Sequence, residues 1–454
     1  MKILRSQEGN ITQEIEKLKK GMSIFADTVT KGMEAKTKEV FGEPLSPSES
    51  ARRVIDDVIE KGDEALEYYS EKFEGVSLST ENIKIKTSEI EDAYNKVSPE
   101  LISAIKNAKE NIRKFQEHIC IQEPGTFHSK GARIEVKYNA IENIGIYVPG
   151  GSASYPSSVL MNAVPAKVAG VEKIVVVTPP GRDGTISAER LVACGEADVD
   201  EVYMIGGVHA IAALTFGTKT VPKVDKIVGP GNQFVTLAKR EAYGHVGIDM
   251  LAGPSEVLII ADESANHAYV ASDLLSQAEH APGISILVTD SEVVANGVLQ
   301  EISRQIETSS RKDMIRESLD KFGFIILTKD MNEAVDISNT LAPEHLLVIV
   351  KNEDEVLSGL KHAGAIFAGP FTPVAVGDYF AGPSHVLPTG GTARFFSGLS
   401  VNDFLKRTSI ISYSEEVLRA AADDIITIAE SEGLHAHADS VRIRTTSKLK
   451  ENGN

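Results

Sequence analysis

The chain has few of the features that mark secreted, membrane-spanning or nucleic-acid-binding proteins. It contains only two cysteines, Cys120 and Cys194, and neither lies in a C-x-x-C or other metal-binding spacing. A disulfide framework is therefore not expected, and a reducing cytoplasm is the default compartment. The N-terminus turns polar at once, without a secretory apolar core, and no apolar run approaches the length of a membrane span. The sequence predicts a cytoplasmic protein with no membrane partner.

Positive charge is also scarce. Lys and Arg number 47 against 65 Asp and Glu, which gives a net charge of −18. This balance argues against a nucleic acid or an anionic membrane surface as partner, although local backbone N–H groups can still bind phosphate. The 454 residues are 42% hydrophobic and 25% charged, which is typical of a globular protein long enough for two or more domains.

The chain lacks both common nucleotide-binding fingerprints, G-x-G-x-x-G and G-x-x-x-x-G-K-[ST]. The nearest approach is Gly229–Phe234, which lacks the third glycine but follows a predicted strand and opens a helix. Its backbone N–H groups could therefore face an anion. Val148–Ser152 is a second Gly-rich loop, after the predicted strand Ile144–Val148. Two such loops at the ends of neighbouring strands are weak support for a dinucleotide crevice, and plain tight turns are the alternative.

The sequence divides into two regions with different patterns of apolar residues. Residues up to about 140 are predicted to be mostly helical, because apolar residues recur at helical spacing in Ser50–Tyr69 and Leu101–His118. From Ile144, short apolar runs alternate with Ala-rich helices, the pattern of a parallel sheet buried on both faces. The predicted strands are Ile174–Thr178, Glu201–Ile205, Lys226–Val228, Val257–Ala261, Ser285–Thr289, Phe324–Thr328 and Leu346–Val350. The predicted helices are Val159–Ala169, Ile186–Cys194, Ile211–Phe216 and His267–His280, and residues 401–439 return to helix.

The residues best suited to chemistry lie in four short segments. Gln277 and His280 are three apart at the end of a predicted helix, so they share a face and make half of a borderline metal site. Asp378 follows a glycine that allows close backbone approach, and its carboxylate could complete a metal shell, or it could be an Asx-turn residue. Three further candidates cluster near the C-terminus: Glu432, His435 and His437. The residues alone do not choose between these two histidines.

Glu344 and His345 bring two proton-transfer groups together after Pro343. A carboxylate beside an imidazole suits sequential general-base duties if both point into one cavity. The alternative is a surface turn in which both groups meet solvent. His385, in a further Gly- and Pro-rich stretch, is either a capping donor or a substrate contact.

Together these residues resemble the histidinol dehydrogenase family, over roughly Lys17 to Arg444. The matching segments are Ile144–Gly151, Gly206–Gly217, Val221–Val235, Ala252–Asp262, Ala271–His280, Ala342–Leu346, Gly377–Pro388 and Glu432–Ala438. The resemblance implies an enzyme that oxidises L-histidinol through histidinal to L-histidine with two NAD, the last step of histidine biosynthesis. It also implies a homodimer with a shared active site and one Zn²⁺ per subunit.

The resemblance assigns roles to individual residues. It implies that Gln277, His280, Asp378 and His437 ligate zinc, and it selects His437 over His435, with that histidine coming from the partner subunit. His345 would be the base in both oxidations, and Glu344 would activate the water that adds to the aldehyde. The substrate contacts would be these six residues with Ser255, His385 and Glu432. The cofactor contacts would be Tyr147, Asn232 and His209, the last standing where the family commonly has Gln.

The implied fold is α/β, with two incomplete Rossmann-like domains with parallel sheets, a helical N-terminal segment and a C-terminal helical tail. We expect residues 1–140 to be a helical region that contributes to the first α/β domain, and 141–252 to be the NAD-binding domain. Residues 253–380 would continue the first domain and carry the metal and acid–base residues. Residues 381–454 would form a loop and a helical tail that contacts the dimer partner.

Three other functions remain open on the sequence alone. A relative of the same family could oxidise another polyol, such as a sulfopropanediol, with the same Glu–His pair and metal. Retention of Glu432 and His437, which suit an imidazole-bearing substrate, favours histidinol. A zinc hydrolase would also place Glu beside a metal-bound water, but no H-E-x-x-H occurs. A non-catalytic assembly protein would require loss of Glu344 and His345, and both are present.

Overall fold

The computed structural model describes residues 1–8, 11–22, 31–151, 154–181, 183–280 and 283–446. Ser152, at the end of the second Gly-rich loop, lies outside these ranges. The chain divides into two compact units, each built from separate segments: Met1–Ile119 with Ile141–Phe404, and Cys120–Ala140 with Leu405–Asn454. The first unit contains both parallel sheets, and the second contains a small antiparallel sheet and two helices.

The N-terminal region is mostly helical, as predicted, but it also contains strands that its sequence pattern did not indicate. Its elements are β1 (Lys2–Arg5), α1 (Ile11–Met22), α2 (Lys31–Phe41), α3 (Pro47–Lys61), α4 (Asp63–Tyr69), α5 (Thr87–Tyr94), α6 (Pro99–Ile119), β2 (Phe127–Ser129) and β3 (Ala132–Ala140). The single helix predicted over Ser50–Tyr69 is two helices, because Gly62 adopts a φ of 58° between them. A capping box from Ser46 and Glu49 fixes the start of α3.

A five-stranded parallel sheet follows the N-terminal helices in the first unit. Its elements are β4 (Asn143–Tyr147), α7 (Pro156–Ala169), β5 (Lys173–Val177), α8 (Ala188–Glu196), β6 (Glu201–Tyr203), α9 (Gly207–Phe216), β7 (Lys226–Val228), α10 (Gln233–Ala242) and β8 (Gly247–Ile248). The strand order is β6-β5-β4-β7-β8, and every pairing is parallel. This is the order of one incomplete Rossmann-like domain, as expected.

A six-stranded parallel sheet forms the rest of the first unit. Its elements are β9 (Glu256–Ala261), α11 (His267–Ala278), β10 (Ile284–Thr289), α12 (Glu292–Ile306), α13 (Lys312–Phe322), β11 (Gly323–Leu327), α14 (Met331–Leu341), β12 (His345–Ile349), α15 (Glu353–Gly359) and β13 (Ala365–Ala368). The order is β1-β11-β10-β9-β12-β13. All eight strands predicted from the sequence, seven listed together and Ile144–Val148, are confirmed to within about two residues, because their apolar runs are buried on both faces.

The remaining elements are α16 (Val374–Tyr379) in the first unit, and β14 (Leu405–Ser412), α17 (Glu415–Ser431) and α18 (His435–Thr446) in the second. The prediction of helix over residues 401–439 is wrong for its first part. There β14 pairs antiparallel with β3, from Leu405↔Ala140 to Ser412↔Arg133. The pairing joins segments far apart in the chain, which local helical periodicity does not reveal. Among the described residues, no helix is long and apolar enough to cross a membrane.

Candidate active site

The amino ends of two neighbouring strands in the six-stranded sheet carry the predicted acid–base residues. Ser255 directly precedes β9, and Glu344 directly precedes β12, with His345 as its first residue. These strands pair in parallel, with His345 opposite Val257. The chain turns sharply into β12 because Ala342 ends α14 with a left-handed φ of 51°. The pair therefore begins a buried strand and is not the solvent-facing turn considered as an alternative.

The two acid–base side chains are enclosed and lie close together. The Nδ1 atom of His345 lies 3.7 Å from Oε2 of Glu344 and 3.2 Å from the backbone oxygen of Glu256. Its Nε2 atom lies 3.7 Å from Oδ1 of Asp378 and has no hydrogen-bond partner among the described residues. A buried polar atom without a partner is costly, so Nε2 is the atom best placed to engage a bound molecule.

Three ionisable side chains at this edge shift one another's pKa values. Burial alone would lower the pKa of His345, but the Glu344 and Asp378 carboxylates raise that pKa to about 9. Burial raises the pKa of Glu344 above its ordinary value, although the His345 charge opposes this rise. Burial also favours a raised pKa for Asp378, but the neighbouring imidazole of His345 outweighs it and lowers the pKa. Strongly coupled buried groups of this kind are characteristic of catalytic sites.

The first unit also contains three of the four predicted zinc ligands. Gln277 is buried near the end of α11, and its Nε2 atom has no hydrogen-bond partner in the described part of the chain. His280 lies on the turn beyond the helix, which ends two residues earlier than predicted. Desolvation lowers the pKa of His280, while the Asp378 carboxylate opposes that shift. Gly377 lets α16 lie against β13, because a Cβ there would be 2.6 Å from the Phe367 ring.

This donor set suits zinc in its chemistry. An amide oxygen, an imidazole and a carboxylate are acceptable ligands for Zn²⁺, and the buried Gln277 amide has a nitrogen without a hydrogen-bond partner among the described residues. Within the described ranges, however, no group of three His, Cys, Asp or Glu residues is arranged to hold a metal ion. Gln277 is not of those types, and His437 belongs to the second unit.

The predicted substrate-contacting residues divide between the two units. The Nδ1 atom of His385 lies 3.0 Å from the backbone oxygen of Asp378, and its Nε2 atom lies 3.4 Å from Ser158 Oγ. The Ser255 side chain lies near enough to Glu344 to oppose the rise in its pKa. These residues of the first unit therefore gather around one edge. Glu432 and His437 lie in the second unit, at the end of α17 and in the first turn of α18, and both are exposed.

A separate cavity of about 500 Å³ lies at the carboxyl ends of the five-stranded sheet. It is lined by all three predicted cofactor residues, Tyr147, His209 and Asn232. The Tyr147 hydroxyl accepts a hydrogen bond of 3.1 Å from the backbone N–H of Gly207, at the start of α9. The volume lies within the usual range for small-molecule sites.

The three cofactor candidates also have structural contacts of their own. Asn232 is the N-cap of α10, and its Oδ1 atom accepts from the N–H groups of Phe234 and Val235 at 3.0 and 3.2 Å. His209 is buried, with Nε2 3.2 Å from Ser70 Oγ and its Nδ1 atom unpaired among the described residues. Both side chains can therefore serve the fold and a ligand together.

The Gly-rich turn after β7 is held rigidly. Gly229 adopts a φ of 106°, and a Cβ there would lie 2.2 Å from the backbone oxygen of Tyr147. Its N–H donates to Asp249 at 2.7 Å, its carbonyl accepts from Lys239 at 3.0 Å, and those two side chains form a buried ion pair. This glycine is thus required for strand packing, as the tight-turn alternative proposed, even though the turn borders the cavity.

Two buried carboxyl groups were missed by the sequence analysis. Glu256, the first residue of β9, hydrogen-bonds to the backbone of Glu344. Glu74 lines the cavity, with Oε2 3.8 Å from Nε2 of His209. A charged residue at the head of the apolar run Val257–Ala261 was the available signal for Glu256. The sequence held no comparable signal for Glu74.

Comparison with known proteins gives one consistent family. A family model described as histidinol dehydrogenase matches residues 44–445. A histidinol dehydrogenase of Bacillus thuringiensis subsp. konkukian is 51% identical over 396 residues, covering 87% of this chain and 92% of the relative. One of Clostridium acetobutylicum is 50% identical over 398 residues, covering 86% and 90%. The crystal structure of histidinol dehydrogenase from Elizabethkingia anophelis superposes with a TM-score of 0.87 at 35% identity and covers 98% of each chain.

Proposed function

The chain belongs to the histidinol dehydrogenase family, and on that premise we propose that it oxidises L-histidinol to L-histidine in two NAD-dependent steps. The observation that carries the proposal is the buried pair Glu344 and His345, with Asp378 within 3.7 Å of the imidazole. Family membership in a dehydrogenase also sets aside the hydrolase and the non-catalytic alternatives. Histidine biosynthesis in the cytoplasm is the corresponding proposed role.

His345 is the proposed base in both oxidations. In the first, the neutral imidazole, which predominates above the His345 pKa of about 9, takes the hydroxyl proton of the substrate at Nε2. Hydride leaves the carbon that bears this hydroxyl, and that carbon becomes an aldehyde. When bound, NAD supplies the acceptor for that hydride. Glu344 then takes a proton from water as the water oxygen adds to the aldehyde carbon. The protonated His345 returns its proton to the carbonyl oxygen, which gives the hydrate and leaves the imidazole neutral. In the second oxidation His345 takes the hydroxyl proton of this hydrate as hydride leaves, and the product is the carboxylate.

Enclosure of the dyad supports retention of the aldehyde between the two steps. Glu344 and His345 are both nearly inaccessible to solvent, at 6% and 5% exposure. A dry site protects a reactive intermediate from side reactions and strengthens the electrostatic effect of fixed charges. Ser255 and His385 border the same edge, and we assign them to substrate contact.

The proposed zinc site is completed by a second copy of the chain. Gln277, His280 and Asp378 would hold Zn²⁺ together with His437 of the partner subunit, and Glu432 of the partner subunit would contact substrate. When bound, the ion would orient the substrate's nitrogen atoms and would not need to generate hydroxide. This arrangement accounts for a donor set that is chemically suitable but incomplete within the first unit.

Exposed apolar side chains support the proposed homodimer. In the second unit, Ile411, Ile428 and Ile443 are 69%, 61% and 64% exposed, and in the first unit Phe371 is 82% exposed. Large exposed apolar residues of this kind are typical of surfaces that a protein partner covers.

The two cysteines are both free, which agrees with the proposed cytoplasmic location.

We assign NAD to the cavity at the carboxyl ends of the five-stranded sheet, within the proposed domain 141–252. Tyr147, His209 and Asn232 line this cavity, and it lies beside helix starts whose N–H groups favour anions. The proposed domain 253–380 carries the acid–base edge, and 1–140 and 381–454 supply its helical surroundings and the dimer contact.

A second candidate substrate is another polyol, such as a sulfopropanediol, since the dyad by itself would serve any alcohol. The test supplies the zinc-loaded protein with NAD and either L-histidinol or dihydroxypropanesulfonate, and follows NADH absorbance. We expect NADH from L-histidinol alone. NADH from the sulfonate alone would assign the chain to the other substrate, and NADH from neither would contradict the proposed activity.

A further inference from the structure

Glu256 is a carboxyl group at the acid–base edge to which the proposed reaction gives no role. It is the first residue of β9, completely buried, and the strand that follows is apolar throughout. Burying a carboxyl group in such surroundings is unfavourable unless hydrogen bonds compensate for the lost water. Its contacts therefore indicate what it does.

Apart from the pairing of β9 with β10, in which Glu256 lies opposite Ile284, the described hydrogen bonds of Glu256 lead to the dyad or to one nearby turn. Its Oε1 atom accepts hydrogen bonds from the backbone N–H groups of Glu344 at 3.2 Å and Gly390 at 3.0 Å. Its own backbone N–H donates to Oε2 of Glu344 at 3.1 Å. Its backbone oxygen lies 3.2 Å from Nδ1 of His345. One residue thus contacts both members of the dyad, and its side chain fixes the backbone from which Glu344 projects.

The turn at Gly390 is tied to the same place by an independent bond. The hydroxyl of Thr389 accepts from the backbone N–H of Gly253 at 2.5 Å, two residues before Ser255. Gly390 adopts a φ of 63°, which glycine tolerates without strain. The start of β9, the start of β12 and this turn therefore converge on the Glu256 carboxyl group.

The Glu256 carboxyl group acts through the position of its acceptor oxygen. Burial, followed by the neighbouring Glu344 carboxylate, raises the pKa of Glu256 well above its ordinary value. Oε1 accepts from two backbone N–H groups, and Oε2 has no hydrogen-bond partner in the described part of the chain. A glutamine side chain presents the same acceptor with the same length.

We propose that Glu256 is the positioning residue of the dyad, holding the Glu344 backbone, and with it the Glu344 carboxylate, in the orientation needed to activate water. The proposal rests on the proposed function for its kinetic meaning. Because the contact of His345 is with the Glu256 backbone, changes to the side chain act mainly through Glu344. They should therefore affect aldehyde oxidation more than alcohol oxidation.

Two substitutions separate shape from charge. Glu256→Gln keeps the length and the Oε1 acceptor but removes the ionisable group. Glu256→Asp keeps the ionisable group but withdraws the acceptor by one methylene from the N–H groups of Glu344 and Gly390. NADH formation is followed in the first turnover with L-histidinol and, separately, at steady state with L-histidinal supplied directly. Leu287→Ala, a buried substitution in β10 away from this edge, is the control for lost stability.

We expect Glu256→Gln to stay within about threefold of the parent on both substrates, and Glu256→Asp to lose about 10-fold or more with L-histidinal and less with L-histidinol. A misplacement of about 1 Å can cost up to about 10²-fold, which sets the scale. The Michaelis constant for NAD should not change. Equal loss of activity in the Gln and Asp variants would overturn the assignment. So would a loss in the Asp variant that has the same ratio between the two substrates as the loss in Leu287→Ala.

Backbone hydrogen exchange tests the same inference without turnover. The Glu344 and Gly390 amides should stay protected in Glu256→Gln and lose protection in Glu256→Asp. Unchanged protection in the Asp variant would contradict the positioning role even if activity fell. If the parent protein oxidises neither substrate, the proposed function fails, and the exchange result alone then decides whether Glu256 holds this edge.

Discussion

The two parallel sheets of the first unit share a strand order but carry their candidate sites at opposite ends. Counted along the chain, both run third, second, first, fourth, fifth, with β1 added at one edge of the larger sheet. In the five-stranded sheet, Tyr147 ends β4 and the Gly229 turn follows β7, so the cavity lies at the carboxyl ends. In the six-stranded sheet, Ser255 and Glu344 precede the corresponding strands β9 and β12.

This difference shows that strand order alone does not predict at which end of a sheet a functional site lies. Ligands usually bind at the carboxyl ends of strands in open α/β sheets, where the order reverses, and the five-stranded sheet follows that rule. The six-stranded sheet does not follow it. Its candidate acid–base residues lie at the amino ends of strands, and α11 runs back from the carboxyl end of β9, which places Gln277 near the same amino ends. Function must therefore be argued from side chains, as for any widely used fold. We expect perturbations of the two ends to have separable effects.

The largest separable effect should come from metal removal. Chelation should abolish oxidation of L-histidinol, because the proposed ligands Gln277, His280 and Asp378 lie at the amino edge. Binding of ADP-ribose at the carboxyl-end cavity, measured by calorimetry, should persist. Addition of Zn²⁺ should restore turnover. Full activity in the chelated protein would contradict the zinc assignment, and loss of ADP-ribose binding would contradict the separation of the two sites.

His345→Asn should have the next largest effect. Removing the base should slow both oxidations by about 10²–10⁴-fold, the usual contribution of a positioned general base. The NADH burst of the first turnover with L-histidinol and the steady-state rate with L-histidinal report the two steps separately. The dissociation constant for ADP-ribose should stay as in the parent, since His345 and the cavity belong to different sheets. A variant that keeps near-normal rates with both substrates would remove His345 from the mechanism.

Glu344→Gln should produce an unequal loss. We expect oxidation of L-histidinal to fall by about 10²-fold, as for a lost general base, while the first-turnover oxidation of L-histidinol falls much less. The amide keeps the size of the side chain and can still accept from the Glu256 N–H, so the fold should be preserved. Equal slowing of the two steps would show that Glu344 does not act specifically on water.

The smallest effect should come from the other sheet, at Asn232. Asn232→Ala removes the N-cap of α10 at a cost of about 1 kcal/mol and also removes the proposed cofactor contact. Asn232→Ser keeps a capping oxygen but loses the amide. Both variants should raise the dissociation constant for NAD by about 10-fold, the value of one lost hydrogen bond of about 1.4 kcal/mol. Normal NAD affinity in Asn232→Ser would show that Asn232 only caps the helix.

Much of the fold was predictable because its information is local. Eight strands of the parallel sheets are buried apolar runs, and their lengths and flanking glycines distinguish them from helices. The edge strands β1, β8 and β13 are short and less buried, and they were missed. The strands β3 and β14 were missed because β3 is half-buried, β14 is mostly exposed, and the two pair across a long stretch of chain, which leaves no local signal. The break at Gly62 was also missed. The helical pattern of apolar residues continues across it, and only the backbone angle of this glycine divides the two helices.

The residue types of the candidate site could be proposed from the sequence, but the surroundings of those residues could not. Glu344 and His345 were recognisable as an acid–base pair, but their position at the head of a buried strand follows from the fold. Glu256 was hidden because its importance lies in backbone contacts, which residue identity does not encode. The contributions of Glu432 and His437 depend on a second copy of the chain, so they stay predictions.

The central claim is that one dyad at the amino edge of the six-stranded sheet carries out two successive oxidations. The most direct measurement is the amount of NADH formed per L-histidinol consumed by the zinc-loaded protein, with L-histidine assayed in the same sample. The account predicts two NADH for each L-histidinol, with L-histidine as the product. One NADH, with the aldehyde accumulating in solution, would contradict it.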